Sequence, residues 1–212
     1  MEFSPFCDVV ELAAPRAGEC FADVGCGTGK CLVAAALGGF GFARCVGVEL
    51  LDGLAAEATA AVARLRALPP PSPSAARTSC AASTRRAEAQ EGAGGGAEEA
   101  AEEAAEEASS SATVSGAVLA AAQATMIEVR CASFLTDEGD ILAAADIVYA
   151  SSICFTDAVI DALGARARKM RRGARFITLK RWADPEGLWE VLSQGWYQMS
   201  WGKSTVFVLR KK

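Results

Sequence analysis

Phe21-Ala22-Asp23-Val24-Gly25-Cys26-Gly27-Thr28-Gly29-Lys30 is the stretch on which the fold turns. Four residues, three of them apolar, read as a buried strand. Three alternate glycines then permit a tight turn and let a ligand approach the backbone. The apolar run from Lys30 to Leu37 reads as a helix. A strand that ends in glycines and opens a helix aims the helix-start amides at an anionic group. A phosphate-binding Walker loop needs Ser or Thr after Gly-Lys, and Cys31 stands there. A dinucleotide fingerprint needs a third glycine at position 30, where the residue is lysine. What remains is the pattern D-x-G-x-G-x-G, with Asp23 placed to hold one end of a ligand.

The neighbouring segments extend the reading. Cys45–Glu49 is a second strand, and it ends in an acid 20 residues after Gly29. A carboxylate at that place accepts both hydroxyls of a ribose, as it does in dinucleotide folds. Met126–Cys131 is a third strand, followed by Ser133 and Phe134, a polar contact and an aromatic face suited to a base. Asp146–Ala150 and Ala174–Leu179 read as the fourth and fifth strands. Between them Asp157–Met170 is expected to be helical, with Thr156 as its N-cap. Leu54–Leu68 and Gly116–Ala124 are expected to be helical, the second as a resumption of the first. Glu186–Ser193 reads as a further helix. Trp196–Ser200 and Ser204–Arg210, on either side of Gly202-Lys203, read as a closing hairpin. Strands alternating with helices imply a mostly parallel sheet in a single α/β domain spanning 1–212.

One segment breaks the pattern. Residues 69–113 hold four of the seven prolines, a glycine run, Glu-Glu-Ala repeats and almost no large apolar side chain. Such a composition does not bury enough surface to offset ordering entropy, so a disordered insert is expected. Its eight acids and three arginines equal the whole chain's net charge of −5, which leaves the remainder neutral. Within that remainder, 164–212 carries twelve basic residues and three acids. Arg166, Arg168, Lys169, Arg171 and Arg172 cluster at one helix end, which suits a helix dipole or a nucleic-acid contact. The eight cysteines include no CxxC pair and there is no histidine. Metal binding is therefore not expected, and any chemistry must run without imidazole. No apolar run reaches membrane-spanning length, so no membrane partner is expected. The start of the chain lacks signal-peptide character, so an intracellular location is expected.

The D-x-G-x-G-x-G pattern is similar to that of S-adenosylmethionine (SAM)-dependent methyltransferases, and the order of motifs resembles one family among them. This is the disruptor-of-telomeric-silencing type of histone lysine methyltransferase, the non-SET class. Phe21-Ala22-Asp23-Val24-Gly25 resembles its FVDLG strand, and Val46-Gly47-Val48-Glu49 its YGVE strand with the ribose acid. Ser133-Phe134-Leu135 falls where the family has Asp-Phe-Leu for adenine. Ile147 to Phe155 is similar to its strand ending in Asn-Asn-Phe-Ala-Phe, and Met170 to Lys180 to its MKEGGRIVSSK. Ser200-Trp201-Gly202-Lys203 resembles its SWTGK hairpin. The chain departs in having Ser133 for the aspartate and Ser151-Ser152 for the paired asparagines. The family's Tyr-Gly loop has no counterpart ahead of Phe3. Ser151 to Phe155 also lacks the Pro-Pro of the methyltransferases that act on amino groups of DNA bases.

The resemblance implies a class I, Rossmann-like SAM methyltransferase with a mostly parallel sheet and a C-terminal antiparallel hairpin. SAM is the implied cofactor, bound by Asp23, Gly25, Gly27, Gly29, Glu49, Ser133 and Phe134. Phe155 is the expected wall beside the methyl, Trp201 the channel's outer rim, and Ser151 and Ser152 hydrogen-bonding groups for cofactor or amine. The implied acceptor is a protein lysine, on a histone in a nucleosome, with a weak nucleic-acid contact through the basic C-terminal region and a nuclear location. Two alternatives stay open: methylation of another protein or a small molecule, and a SAM-binding module without catalysis.

Overall fold

The computed structural model describes residues 3–69, 115–136, 140–199 and 202–212. Residues 1–68 with 121–212 form one compact unit; 69–120 form a second, described only at Pro69 and 115–120. The expected disordered insert thus lies, apart from Pro69, outside the described residues, and so does Trp201.

The elements run α1 (Phe3–Glu11), β1 (Cys20–Val24), α2 (Lys30–Leu37), β2 (Arg44–Glu49), α3 (Asp52–Ala67), α4 (Gly116–Ala124) and β3 (Met126–Cys131). They continue with α5 (Ile141–Ala144), β4 (Ile147–Ala150), a 3₁₀ turn (Ser152–Cys154), α6 (Asp157–Ala167), β5 (Arg175–Thr178), β6 (Trp189–Met199) and β7 (Gly202–Lys211). The seven strands form one sheet in the order β3-β2-β1-β4-β5-β7-β6. The first five are parallel and β7 runs antiparallel to both neighbours. The order reverses at β1, between β2 and β4. Parallel sheets bind ligands in the crevice outside the carboxyl ends at such a switch point.

Both faces of the sheet are covered, which explains the burial of β4 and β5 throughout and of β1 after Cys20. On one face Ala22, Val24, Val48, Val148 and Phe176 pack with α5 and α6. On the other, Phe6 of α1 sits edge-on to Phe21 and Tyr149, with ring centroids 6.1 and 5.5 Å away. Helix α1 was not expected from the sequence. Pro5 is tolerated in its first turn, where an amide has no helical acceptor, and Phe6, Val9 and Val10 bury one face.

Helices α3 and α4 form at the places expected, α3 starting at Asp52; Leu68 leaves α3 with extended backbone (φ −60°, ψ 133°), as a residue ahead of proline does. The side-chain amide of Gln123 in α4 then donates to the carbonyls of Leu65 and Leu68. The helix expected at Glu186–Ser193 is instead the start of β6. Asp184 accepts hydrogen bonds from the amides of Leu188 and Trp189, at 3.0 and 2.9 Å, around Gly187 with φ 62°. That side-chain turn launches a strand, and pairing with β7 outweighs the local leaning toward helix. Met199 pairs with Gly202, so Gly202-Lys203 already belong to β7.

The loop from β5 to β6 covers the sheet without a helix. Trp182 takes the helix's place, edge-on to Phe176 and Trp189 with centroids 4.9 and 5.5 Å away. It fits because α6 has Gly164 beneath it: a Cβ there would lie 2.3 Å from Trp182 Cγ. Gly164→Ala is therefore expected to lower stability by about 1–3 kcal/mol despite alanine's better helix propensity. A urea titration with an unchanged midpoint would refute the fit.

Candidate functional site

The site is built where β1, β2 and β4 end. Gly25, Gly27 and Gly29 all have positive φ (72°, 54° and 78°), which explains their alternation. The amides of Gly25 and Cys26 donate to Val48 O at 2.9 and 3.1 Å, tying the turn to β2. Each glycine faces something different. A Cβ on Gly25 would lie 3.2 Å from the Phe155 ring, and one on Gly29 3.0 Å from Ala58 of α3. One on Gly27 would meet nothing within 4 Å, so the turn is open at its middle. Gly47 also has a role the sequence left unread: a Cβ there would lie 2.4 Å from Leu32 and 2.7 Å from the Cys26 sulfur.

Glu49 is buried to 8% exposure and reaches back to the turn. Its Oε2 accepts from Gly27 N at 2.9 Å and its Oε1 from Leu51 N at 3.0 Å. A carboxylate has about four acceptor positions, so these two bonds leave further acceptor capacity on its oxygens. Asp23, 1% exposed at the end of β1, is the most perturbed acid. Burial first, and then the nearby Glu49, push its carboxyl up to about 8. Its Oδ1 is buried with no hydrogen-bond partner. An orphaned acceptor of that kind costs free energy unless something fills it.

Phe134, after β3, and Phe155, after β4, meet although their strands are not neighbours: the rings stack at 5.6 Å and 24°. Leu50 and Leu51, straight after Glu49, are both exposed. Ser133 caps its own turn, its Oγ accepting from Leu135 N at 3.2 Å. The paired serines diverge. Ser151 is half-buried beside the Tyr149 hydroxyl. Ser152 is fully buried: its Oγ accepts from Leu179 N and Lys180 N at 3.1 and 2.9 Å and bonds the Thr178 hydroxyl at 2.9 Å. Ser152 thus fastens the exit of β4 to the exit of β5. Lys180, not singled out from the sequence, donates from Nζ to Phe155 O at 2.7 Å and holds the same loop. Its only sequence signal is its place at the end of the MKEGGRIVSSK-like stretch.

The thiols near the turn are inert. Burial pushes Cys26 up to about 12 and Cys31 still higher. Among the described residues no group of His, Cys, Asp and Glu is disposed to hold a metal, and no helix is long and apolar enough to cross a membrane. The basic cluster falls elsewhere. Helix α6 starts after Phe155 at the carboxyl edge and ends before β5, so Arg168 to Arg172 lie toward the opposite edge. Arg171 pairs with Asp146, Arg168 with Glu186 at 2.7 Å and Arg166 with Asp140 at 3.3 Å. Three of the five charges are thus engaged within the chain; Arg166 also donates to Leu135 O at 2.6 Å, beside the Ser133-Phe134 turn, while Arg168 and Arg171 lie at a distance from the crevice.

Seven strands in this order, with a glycine turn after β1 and an acid closing β2, define a Rossmann-like methyltransferase fold. Comparison with solved structures agrees. An RNA methyltransferase from Salinibacter ruber, in complex with S-adenosyl-L-homocysteine, is 15% identical over 98% of this chain and 90% of its own, with a TM-score of 0.53. TrmN from Thermus thermophilus is 14% identical over 98% of this chain and 48% of its own, at 0.55. The rRNA methyltransferase aviRa from Streptomyces viridochromogenes is 13% identical over 99% and 85%, at 0.55. At such identities the likeness establishes the fold. A comparison with protein-family models finds no match, and one with curated proteins finds none either.

Proposed function

We propose that the chain is a SAM-dependent methyltransferase. The observation that carries this is the orphaned Asp23 Oδ1 beside a glycine turn open at Gly27. A ligand with an ammonium, a carboxylate and a ribose matches the groups offered. Asp23 takes the ammonium, the amides at the start of α2 take the carboxylate, and Glu49 takes the ribose hydroxyls. Leu50 and Phe134 give a base two apolar faces, with Ser133 at its edge. The solved structure from Salinibacter ruber holds the demethylated product of SAM, which supports the same ligand here.

When bound, SAM supplies an electrophilic methyl on a sulfonium. The chain's part is to position the acceptor and exclude water, and positioning alone is worth roughly 7–11 kcal/mol. Phe155, braced by Gly25 and by Lys180 on its carbonyl, forms the wall at the end of β4. Ile153, exposed beside it, extends an apolar mouth. An amine entering that mouth is favoured uncharged, because desolvation lowers its pKa. Ser152 positions the loop through its three hydrogen bonds, while Ser151 is the serine left to face a ligand.

A protein lysine as acceptor is supported by the sequence resemblance at β4 and the hairpin. Its chromatin form is weakened by the basic cluster, which is largely ion-paired and at the far edge. Two measurements test the proposal. Calorimetry should detect SAM binding by the wild type and a loss of roughly 1.5–3 kcal/mol in Glu49→Ala. Glu49→Gln should fare no better, since its amide nitrogen must confront the Gly27 or the Leu51 N–H. Transfer of label from SAM should then be scored on nucleosomes, free histones and RNA. A wild type that binds no SAM refutes the proposal.

A further inference from the structure

We propose that the open face of the β6–β7 hairpin is a base-stacking surface for single-stranded nucleic acid, and that such a strand is the substrate class brought to Phe155. The substrate assignment rests on the methyltransferase reading; the surface itself does not.

Phe207 pairs with Thr178, the last residue of β5. The hairpin therefore overruns the carboxyl edge of the sheet with Gly202–Val206 on β7 and Gly195–Met199 on β6. Five residues of strand extend it by roughly 17 Å on the side where the crevice lies. Phe207 and Leu209 face the α5–α6 layer. Alternation puts Thr205 and Lys203 on that same face, and directly opposed residues share it. Gln194, Trp196 and Gln198, opposite Phe207, Thr205 and Lys203, consequently look the same way. The layer stops at Trp182, and Trp196 is left 76% exposed.

The groups on this face suit one kind of partner. The exposed Arg181 guanidinium lies 5.8 Å over the Phe207 ring, and Lys203 is exposed further along. Neither has a carboxylate partner among the described residues. The acids of β6 and of the loop before it are engaged: Asp184 with two amides, Glu186 with Arg168, and Glu190 with Arg210 on the reverse face. Indole and arginine-backed phenyl rings accept stacked bases, uncompensated cations accept phosphates, and Gln194 offers an amide to a base edge. Gln198 is partly engaged, donating to Met199 O at 3.0 Å. The face is continuous with the mouth, since Lys180 on Phe155 O adjoins Arg181 on Phe207. A lysine-rich histone tail would meet like charges here. The missing Pro-Pro concerns exocyclic amino groups and leaves ring and ribose atoms as acceptors.

Fluorescence anisotropy with labelled 12-nucleotide RNA and DNA strands and a basic histone-tail peptide tests this on the full chain. Single strands should bind, more weakly as salt rises, by roughly 0.7 in log–log slope per phosphate contacted. Trp196→Ala should weaken binding about 5- to 100-fold, and Arg181→Glu with Lys203→Glu should flatten the salt slope. Both variants should keep the wild-type melting temperature and SAM affinity, and Lys169→Glu with Arg172→Glu at the far edge should change nothing. Strand binding indifferent to Trp196, Arg181 and Lys203, or a peptide that binds through these residues in place of the strands, overturns the assignment. If SAM fails to bind while strands bind through Trp196, the methyltransferase reading falls and the surface stands. If SAM binds and strands do not, the surface falls alone.

Discussion

Asp23→Asn is expected to melt above the wild type at pH 8–9 and to bind SAM at least tenfold more weakly. The stability half follows from burial. In the folded chain the Asp23 carboxyl titrates at about 8, against an ordinary value of 3.8. Between those values the folded state holds a proton that the unfolded state has released. Stability therefore falls as pH rises from about 4 to about 8, then levels off. At about 1.4 kcal/mol per pKa unit, the penalty at the plateau is on the order of 5 kcal/mol. Asparagine carries no such dependence, so the gap in melting temperature should be small at pH 5 and widest at pH 9. The binding half has the opposite sign. An ammonium beside Asp23 favours the ionised form, so binding expels a proton below pH 8 and wild-type affinity climbs with pH. Removing a charged hydrogen bond costs roughly 1.5–3 kcal/mol, a loss of tenfold or more. Calorimetry in buffers of different ionisation heat counts the proton. An Asn variant with wild-type affinity and no proton release from the wild type would remove Asp23 from the site.

Why some of this was legible in the sequence and some not is a matter of where each constraint is written. The Gly25–Gly29 turn demands positive φ at three alternate positions, and only glycine supplies that cheaply, so the demand shows in the residues themselves. Lys30–Leu37 and Met126–Cys131 were placed to the residue because glycine or a change of polarity marks their ends. Glu49 was legible as a strand-end acid, but its grip on Gly27 N was not, since that contact needs β1 and β2 side by side. The sheet's closing strands were harder. Trp189–Met199 mixes leucine, glutamate and aromatics, and only the ladder with β7 decides between helix and strand. Ser151 and Ser152 look equivalent in one dimension; the 3₁₀ turn sends one inward to Thr178 and leaves the other at the crevice. A count of arginines likewise does not say which edge of a sheet they occupy, nor that Asp146 and Glu186 already hold two of them.

Arg175→Ala should be the most damaging single change outside the site, at about 3–5 kcal/mol, because it removes one partner of a buried ion pair. Arg175, the first residue of β5, is almost fully buried. Its Nε donates to Ala13 O at 2.9 Å, its Nη1 to Glu19 Oε1 at 3.0 Å, and its Nη2 to Ala14 O at 3.4 Å and to Glu19 Oε2. One guanidinium thereby fastens the link between α1 and β1, including Ala14 at φ 47°, to the far side of β4. Without it two carbonyls lose this donor and the Glu19 carboxylate keeps only the Arg16 amide. Burial by itself would raise Glu19, but its hydrogen bonds from Arg175 and the Arg16 amide prevail, and its carboxyl sits below the usual 4.5. A lowered carboxyl stabilises above the unfolded value and ceases to do so as pH falls through the folded one. In the variant burial is left unopposed by Arg175, so Glu19 shifts upward and destabilises near neutrality instead. The difference between the two proteins should therefore be widest at pH 7 and narrow as pH falls through the lowered folded value, where Glu19 becomes protonated in both. Urea midpoints across that range give the measurement. A deficit that stays constant with pH would assign the cost to lost packing rather than to the charge pair. Since the same link carries Phe6 onto Tyr149 behind Asp23, SAM affinity measured on the variant reports whether the site depends on α1 being held.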